Sequence, residues 1–308
     1  MKTINIVNGP QNVSAIIQGC MRMPALSKED AAKVIRTAYD CGINFFDHAT
    51  CYGYGEAETR FAEAFPLTGI RREDIFLQSK CGICPERKEF DWTKDYILAA
   101  ADGILQRLHT DYLDTLLLHR PDLLFDPEEV ADAFNTLAAA GKVRWFGVSN
   151  LMPMQIELLK KYVKQPLIIN QVQLSLEQSQ LIDQAFYMNN KTTDLSLSRD
   201  GSVLDYCRLN DLTIQAWSPL QKGMFGGTFI DNPDDPELNK ALAEIAAREG
   251  VSKSAVAIAW ILRHPAKMQA IIGTMNPAHI QDACDAVRVT LSHHDWYALY
   301  LASGKFLP

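Results

Sequence analysis

No stretch of this 308-residue sequence approaches the apolar length that spans a bilayer, about 20 residues. The first 20 residues also lack the basic start and apolar centre of an export signal. Positive charge is scarce: 30 Lys and Arg stand against 37 Asp and Glu, for a formal charge of −7 and a pI near 5.5. That balance leaves no basic footprint for nucleic acid. The seven cysteines are odd in number and scattered, which fits reduced thiols rather than a disulfide framework. The expectation is a soluble cytoplasmic protein whose partner is a small molecule, neither nucleic acid nor membrane. A complete dinucleotide fingerprint is missing too. Gly53-Tyr-Gly55-Glu-Ala-Glu58 has two glycines but a glutamate where the third belongs, which counts against a doubly wound open sheet.

What is present is an ordinary globular composition, 47% hydrophobic and 22% charged, in a chain long enough to bury a large core unaided. Short apolar runs alternate with helix-period stretches from end to end, as parallel β/α units require. The strand candidates are 15–18, 44–47, 75–80, 112–119, 143–148, 167–173, 213–217 and 270–272. Helix ends are legible between them. Ser27 with Asp30 forms an N-terminal capping signal and Gly42 a stop; Asp126-Pro127 opens a helix that Gly141 ends; Pro153 sits in the first turn of the next. Eight strand–helix units over roughly 250 residues predict a (β/α)8 TIM barrel spanning residues 1–308 as one domain. An opening hairpin turns at Asn8-Gly9-Pro10, and polar loops fall at 189–201 and 221–236. A closing extra helix begins at Ser292.

In such a barrel, chemistry belongs at the carboxyl ends of the strands. Those ends read Asp47, Lys80, His119, Ser149-Asn150, Gln171, Trp217-Ser218 and Thr274, with Tyr52 five residues beyond Asp47. An aspartate, a lysine and a histidine directly after apolar residues are costly to bury unless paired. A lysine ammonium beside a tyrosine should lower the phenol's pKa, and an aspartate would hold the ammonium. With a histidine on the same substrate oxygen, these groups can polarise a carbonyl and protonate the alkoxide formed when hydride arrives. None is a hydride donor, so a nicotinamide is implied. Asn150 and Gln171 can pair with a carboxamide, and Trp217 offers a flat ring. Asn150 can also cap the Pro153 helix. Arg22 can meet an anionic substrate or simply lie on the surface.

Some polar residues read as structural. Strand alternation turns His48 away from the site, and His293-His294 reads as a solvated helix end. Cys81-Gly-Ile-Cys84 has redox spacing but no second pair, so no metal is expected there.

The stretches Phe46-Asp47-His48-Ala49-Thr50-Cys51-Tyr52-Gly53, Ser79-Lys80, Leu118-His119-Arg120-Pro121-Asp122, Gly141 through Asn150, and Trp217-Ser218-Pro219-Leu220 together resemble the aldo-keto reductase family. The Asp-His-Ala and Ser-Lys-Cys-Gly runs look most like its bacterial YdhF-type oxidoreductases. The resemblance implies reduction of aldehyde or ketone carbonyls with NADP(H), NAD(H) being the lesser alternative, and a tetrad of Asp47, Tyr52, Lys80 and His119 with Tyr52 as general acid. It implies nicotinamide contacts from Ser149, Asn150 and Gln171, stacking on Trp217, and phosphate-loop contacts from Ser218, Leu220 and Gly223. Further cofactor contacts are expected from Cys20, Met21, Asp47, Gly273, Thr274, His279 and Asp282. The final unit, Gly273-Thr274-Met275-Asn276-Pro277-Ala278-His279, lacks the Lys or Arg that many relatives place against the 2′-phosphate. Thr274, His279 and the amides opening the helix at Pro277 are the candidates in its place. A cofactor-binding regulatory subunit, similar to the potassium-channel beta subunits that share the fold, is the competing function. Specificity should lie in loops 20–26, 83–92 and 189–201.

Overall fold

The computed structural model describes residues 1–187, 193–194, 197, 201–223 and 226–307. The loop expected at 189–201 therefore falls largely outside the described residues, as do positions 224 and 225 of the second polar loop.

Eight parallel strands close into a barrel. In chain order they are β3 (Ile16–Gly19), β4 (Phe45–Asp47), β5 (Phe76–Cys81), β8 (Leu113–Leu118), β9 (Val143–Ser149), β10 (Leu167–Gln173), β11 (Thr213–Trp217) and β12 (Gln269–Ile272). Each pairs with its neighbour in that order, and β12 closes on β3 through Ala270 opposite Ile16. All eight expected strands are present. Two short hairpins are added: β1 (Thr3–Ile4) with β2 (Val13–Ser14), and β6 (Ile83–Cys84) with β7 (Glu89–Phe90).

The helices ring the barrel: α1 (Lys28–Asp40), α2 (Glu56–Ala64), α3 (Lys94–Leu108), α4 (Pro127–Ala139), α5 (Pro153–Lys160), α6 (Gln180–Phe186), α7 (Val203–Leu209), α8 (Pro236–Glu249), α9 (Lys253–Leu262), α10 (Pro277–Cys284) and α11 (His293–Ala302). Their caps follow the sequence signals. Ser27 accepts from the Asp30 N–H, Asp126 from the Glu128 N–H, and Ser292 from the Asp295 N–H. Asn150 does not cap α5; the N–H of Met152 is satisfied by Gln155 Oε1 at 2.9 Å. Among the described residues no helix is long and apolar enough to cross a membrane.

Strand alternation sorts the side chains into two cores. Outward residues such as Phe46, Leu77, Leu116, Phe146, Ile214 and Ile272 pack under the helices. Inward, an apolar cluster joins Ile6 and Val13 of the amino-terminal segment to Ile17, Phe45, Leu117, Ile169 and Ile271. At Gly147 a side chain has no room, since a Cβ there would lie 2.7 Å from Leu117 Cδ2 and 2.9 Å from the carbonyl oxygen of Ile169.

Polar inward residues interleave with that cluster, Gln269 preceding Ile271 on β12 and Lys80 lying opposite Leu117. Gln78, Gln171, Gln215 and Gln269, all buried, come from four different strands. Above them, at the carboxyl end, lie Asp47 and Lys80.

Candidate active site

The same alternation that buries Phe45 and Gln78 inward brings Asp47 and Lys80 inward two residues later. The Lys80 ammonium is wholly buried, and all three of its N–H groups are used. They donate to Asp47 Oδ2 at 2.7 Å, to the His48 carbonyl at 2.7 Å and to Tyr52 Oη at 3.1 Å. The second carboxylate oxygen of Asp47 accepts from Gln78 Nε2 at 2.7 Å and Gln171 Nε2 at 3.2 Å. A buried carboxylate thus gains an ammonium and two amides, which is the pairing its burial demands.

Because Asp47 only accepts, Gln78 and Gln171 must turn their amide nitrogens to it, and the remaining orientations follow. Each gives its other proton to Gln215 Oε1, at 2.8 and 3.1 Å. Gln215 Nε2 then donates to Gln269 Oε1 at 3.0 Å, and Gln269 Nε2 to the Ser14 carbonyl at 2.7 Å. A directed chain of amides runs from Asp47 across the barrel to the Ser14 carbonyl. Sequence reasoning found Gln171 but missed Gln78, Gln215 and Gln269. Their signal was a glutamine at inward parity in an otherwise apolar strand.

Tyr52 enters from a short turn after β4, Tyr52–Gly55, in which Gly53, Tyr54 and Gly55 all have positive φ. Its ring stands edge-on to His119, with centroids 5.9 Å apart. Desolvation pushes the Tyr52 phenol up to about 12; Lys80 pulls the other way but does not overcome burial. The ammonium does lower this pKa, as expected, but burial is the larger effect, so the net shift is upward and the hydroxyl is held protonated. Burial opposes the Lys80 ammonium, but Asp47 and Tyr52 outweigh it and raise its pKa. Burial holds His119 well below its ordinary value, with Lys80 and Arg120 adding to the effect, so the imidazole is neutral. His119 Nδ1 faces Cys51 Sγ at 3.5 Å, a neighbour the sequence did not flag.

His48 turns outward as expected. Its ring meets Phe61 edge-on at 4.8 Å, and burial pushes its pKa down to about 3. Only its carbonyl serves the site.

The residues expected around a nicotinamide form a second connected set. Ser149 Oγ donates to the Gln171 carbonyl at 2.9 Å. Asn150, with a left-handed backbone, donates through Nδ2 to Ser149 Oγ at 2.8 Å and to the His119 carbonyl at 3.3 Å. Its Oδ1 accepts from Trp217 Nε1 at 3.2 Å, which fixes the plane of a half-exposed indole. Ser218 follows with a positive φ, and Leu220 and Gly223 continue the loop, which Ser175 and Gln178 hold through the carbonyls of Gln221 and Lys222.

The remaining expected contacts lie across the mouth. Cys20 is buried with Sγ turned to the Gln18 carbonyl at 3.7 Å, while Met21 is exposed. Arg22 Nη1 donates to the Gly273 carbonyl at 2.9 Å, tying the first and last units together. Thr274 Oγ1 accepts from the Asn276 N–H, and Asn276 caps α10 at Ala278. His279 and Asp282 are exposed on that helix. Cys81 and Cys84 are buried thiols, Cys84 lying 3.2 Å from Arg87 Nη2.

Comparison with known proteins shows the family. The family model described as Aldo/keto reductase family matches residues 15–300. The chain is 35% identical to the uncharacterized oxidoreductase YcsN of Bacillus subtilis, over 96% of each chain. It is 34% identical to a 6-dehydroglucose reductase of Agrobacterium fabrum, over 95% of each. Identity to the oxidoreductase YdhF of Escherichia coli is 32%, over 96% of this chain and 95% of that one. Among solved structures, the thermostable aldo-keto reductase Tm1743 shares the fold, with a TM-score of 0.78 and 24% identity over 98% of this chain and all of that one.

Proposed function

The chain belongs to the aldo/keto reductase family, and from that premise we propose that it reduces aldehyde or ketone carbonyls of small molecules to alcohols, in the cytoplasm, with NADP(H) and with Tyr52 as general acid. The observation that carries this reading is the threefold bonding of the buried Lys80 ammonium to Asp47, the His48 carbonyl and Tyr52 Oη.

The residues fit a nicotinamide. Trp217 presents a half-exposed ring whose plane is set by Asn150. Gln171 has spent Nε2 inside the barrel, so it meets a carboxamide as an acceptor through Oε1. When bound, the nicotinamide supplies the hydride that reduces the carbonyl carbon. The chain's own residues manage the oxygen. Lys80 donates to Tyr52 Oη, which leaves the phenolic proton to point into the open site. The neutral His119 donates a hydrogen bond through Nε2, with Nδ1 turned to Cys51. The two hold the carbonyl oxygen in place and stabilise the charge that develops on it. Tyr52 gives its proton to the alkoxide. The phenolate left behind is stabilised by the ammonium, whose position Asp47 fixes.

For the 2′-phosphate, the Thr274 hydroxyl, whose oxygen already accepts from Asn276, retains its proton to donate. His279 is exposed in the first turn of α10. A hydrogen bond to a charged group contributes about 1.5–3 kcal/mol, so the preference for NADPH over NADH should be about one to two decades.

The test is a panel of aldehydes and ketones with NADPH and NADH, followed at the nicotinamide absorbance. Tyr52→Phe should lower kcat by about 10²–10⁴-fold while leaving the NADPH dissociation constant nearly unchanged. Wild-type turnover by this variant would remove Tyr52 from its role. Tight NADPH binding without turnover of any carbonyl would point to a binding subunit instead.

A further inference from the structure

Arg120, the residue after His119 on the same strand end, is a cation without a counter-charge. Its guanidinium carbon lies 5.9 Å from the centroid of the Trp217 ring, and the residue is half-buried. Among the described residues it makes neither a hydrogen bond nor an ion pair. The acids of the tetrad and of its own loop are committed elsewhere. Asp47 is held by Lys80, Gln78 and Gln171. Asp122, two residues on, accepts from the Trp92 N–H at 3.0 Å and the Leu124 N–H at 2.9 Å and stays buried.

The charges around the tetrad therefore do not cancel. Lys80 and Asp47 neutralise each other, Tyr52 is protonated and His119 is neutral, which leaves the Arg120 charge uncompensated by them. Burial works against it, lowering the Arg120 pKa, and its field reaches both Tyr52 and His119. A partly desolvated guanidinium with five free donors at the rim of a carbonyl site is built to receive a planar oxyanion.

We propose that Arg120 binds the carboxylate of the substrate, so that the preferred substrates are carbonyl compounds that also carry a carboxylate. This rests on the reductase reading above. Arg22 differs from it in being exposed to water, with Nη1 donating to the Gly273 carbonyl on the other side of the mouth. A phosphate of the cofactor is the other source of an oxyanion near Trp217, and the experiment separates the two.

Two measurements test the proposal. The first is calorimetric titration of benzoate, and of neutral benzamide, into the protein saturated with NADP⁺. Wild type should bind benzoate more tightly than benzamide, and Arg120→Gln should weaken benzoate by about ten- to a hundredfold. Arg120→Lys should recover part of the loss. The second is kcat/KM for the ortho, meta and para formylbenzoates against their methyl esters with NADPH. The best acid should exceed its ester by about tenfold or more, and that ratio should collapse toward one in Arg120→Gln.

Benzoate affinity unchanged in Arg120→Gln overturns the proposal. So does a variant that loses affinity for NADPH while its acid-to-ester ratio stays at the wild-type value, which would assign Arg120 to the cofactor. Reduction of esters and acids alike by wild type sinks the carboxylate preference and leaves the reductase reading standing. Arg120-dependent benzoate binding without reduction of any aldehyde does the reverse.

Discussion

A wholly buried ammonium is tolerable only when each N–H finds an acceptor, and Lys80 meets that condition with three different kinds of oxygen. Lys80→Met would strand the Asp47 carboxylate in the barrel with only the Gln78 and Gln171 amides to hold it. Breaking a buried pair costs about 3–5 kcal/mol, and the two amides put the expected loss at the lower end. Carbonyl reduction should fall with it, since the phenolate loses its stabilising charge. Urea unfolding and steady-state rates check both effects. Unchanged unfolding together with unchanged rates would show that Lys80 is not paired with Asp47. The pH behaviour follows from the same residues. With Tyr52 pushed up to about 12, its proton stays in place across the neutral and mildly alkaline range, so loss of the acid should not limit the rate there.

At the scale of elements, the last helix is held to the barrel by one side chain doing two jobs. Asp295 accepts from the Ser292 N–H at 2.9 Å, completing a capping box, and pairs with both terminal nitrogens of Arg248 on α8 at 2.9 Å each. Trp296 beside it stacks on Trp260 of α9, with centroids 4.8 Å apart. The Arg248 hydrogen bonds come first in holding the Asp295 carboxyl below the usual carboxylate range, followed in the same direction by Ser292. Its folded pKa is therefore lower than its unfolded one. The stabilisation is present above the unfolded value, about 4, and is lost as pH falls through the folded one. Because Arg248 is half exposed, solvent screening reduces the pair's contribution. Asp295→Asn should cost about 1–2 kcal/mol at pH 7, and the gap to wild type should narrow toward pH 2. Thermal unfolding at several pH values measures it; a gap independent of pH would mean that the carboxylate charge is not what holds α11.

Across the whole molecule, the barrel interior carries a band of bonded glutamines below Lys80, interleaved with apolar side chains. The band links β5, β10, β11 and β12, and its direction is imposed from the top by a carboxylate that can only accept. Gln215 is the centre, accepting twice and donating once. Gln215→Leu would leave one proton on each of Gln78 and Gln171 and one oxygen of Gln269 without partners. At about 1–3 kcal/mol for each buried unsatisfied group, the barrel should lose several kcal/mol, read from the urea midpoint at constant m. A loss below about 1 kcal/mol would show that the amides repair their bonding without Gln215.

The sequence by itself determined the barrel, because eight apolar runs at β/α spacing with legible caps have one economical closure. It also marked Asp47, Lys80 and His119 as inward residues at strand ends, since parity along a strand is a local property. What it could not decide were quantities that depend on the sum of neighbours. The Tyr52 pKa is a contest between burial and a nearby ammonium, and only the packed site shows that burial wins. The glutamine band is a set of contacts between residues up to 137 positions apart, as in Gln78 with Gln215. Arg120 looked like one more charge in a motif. Only the folded chain shows Asp122 and Asp47 each bound to other partners, leaving its guanidinium open at the mouth.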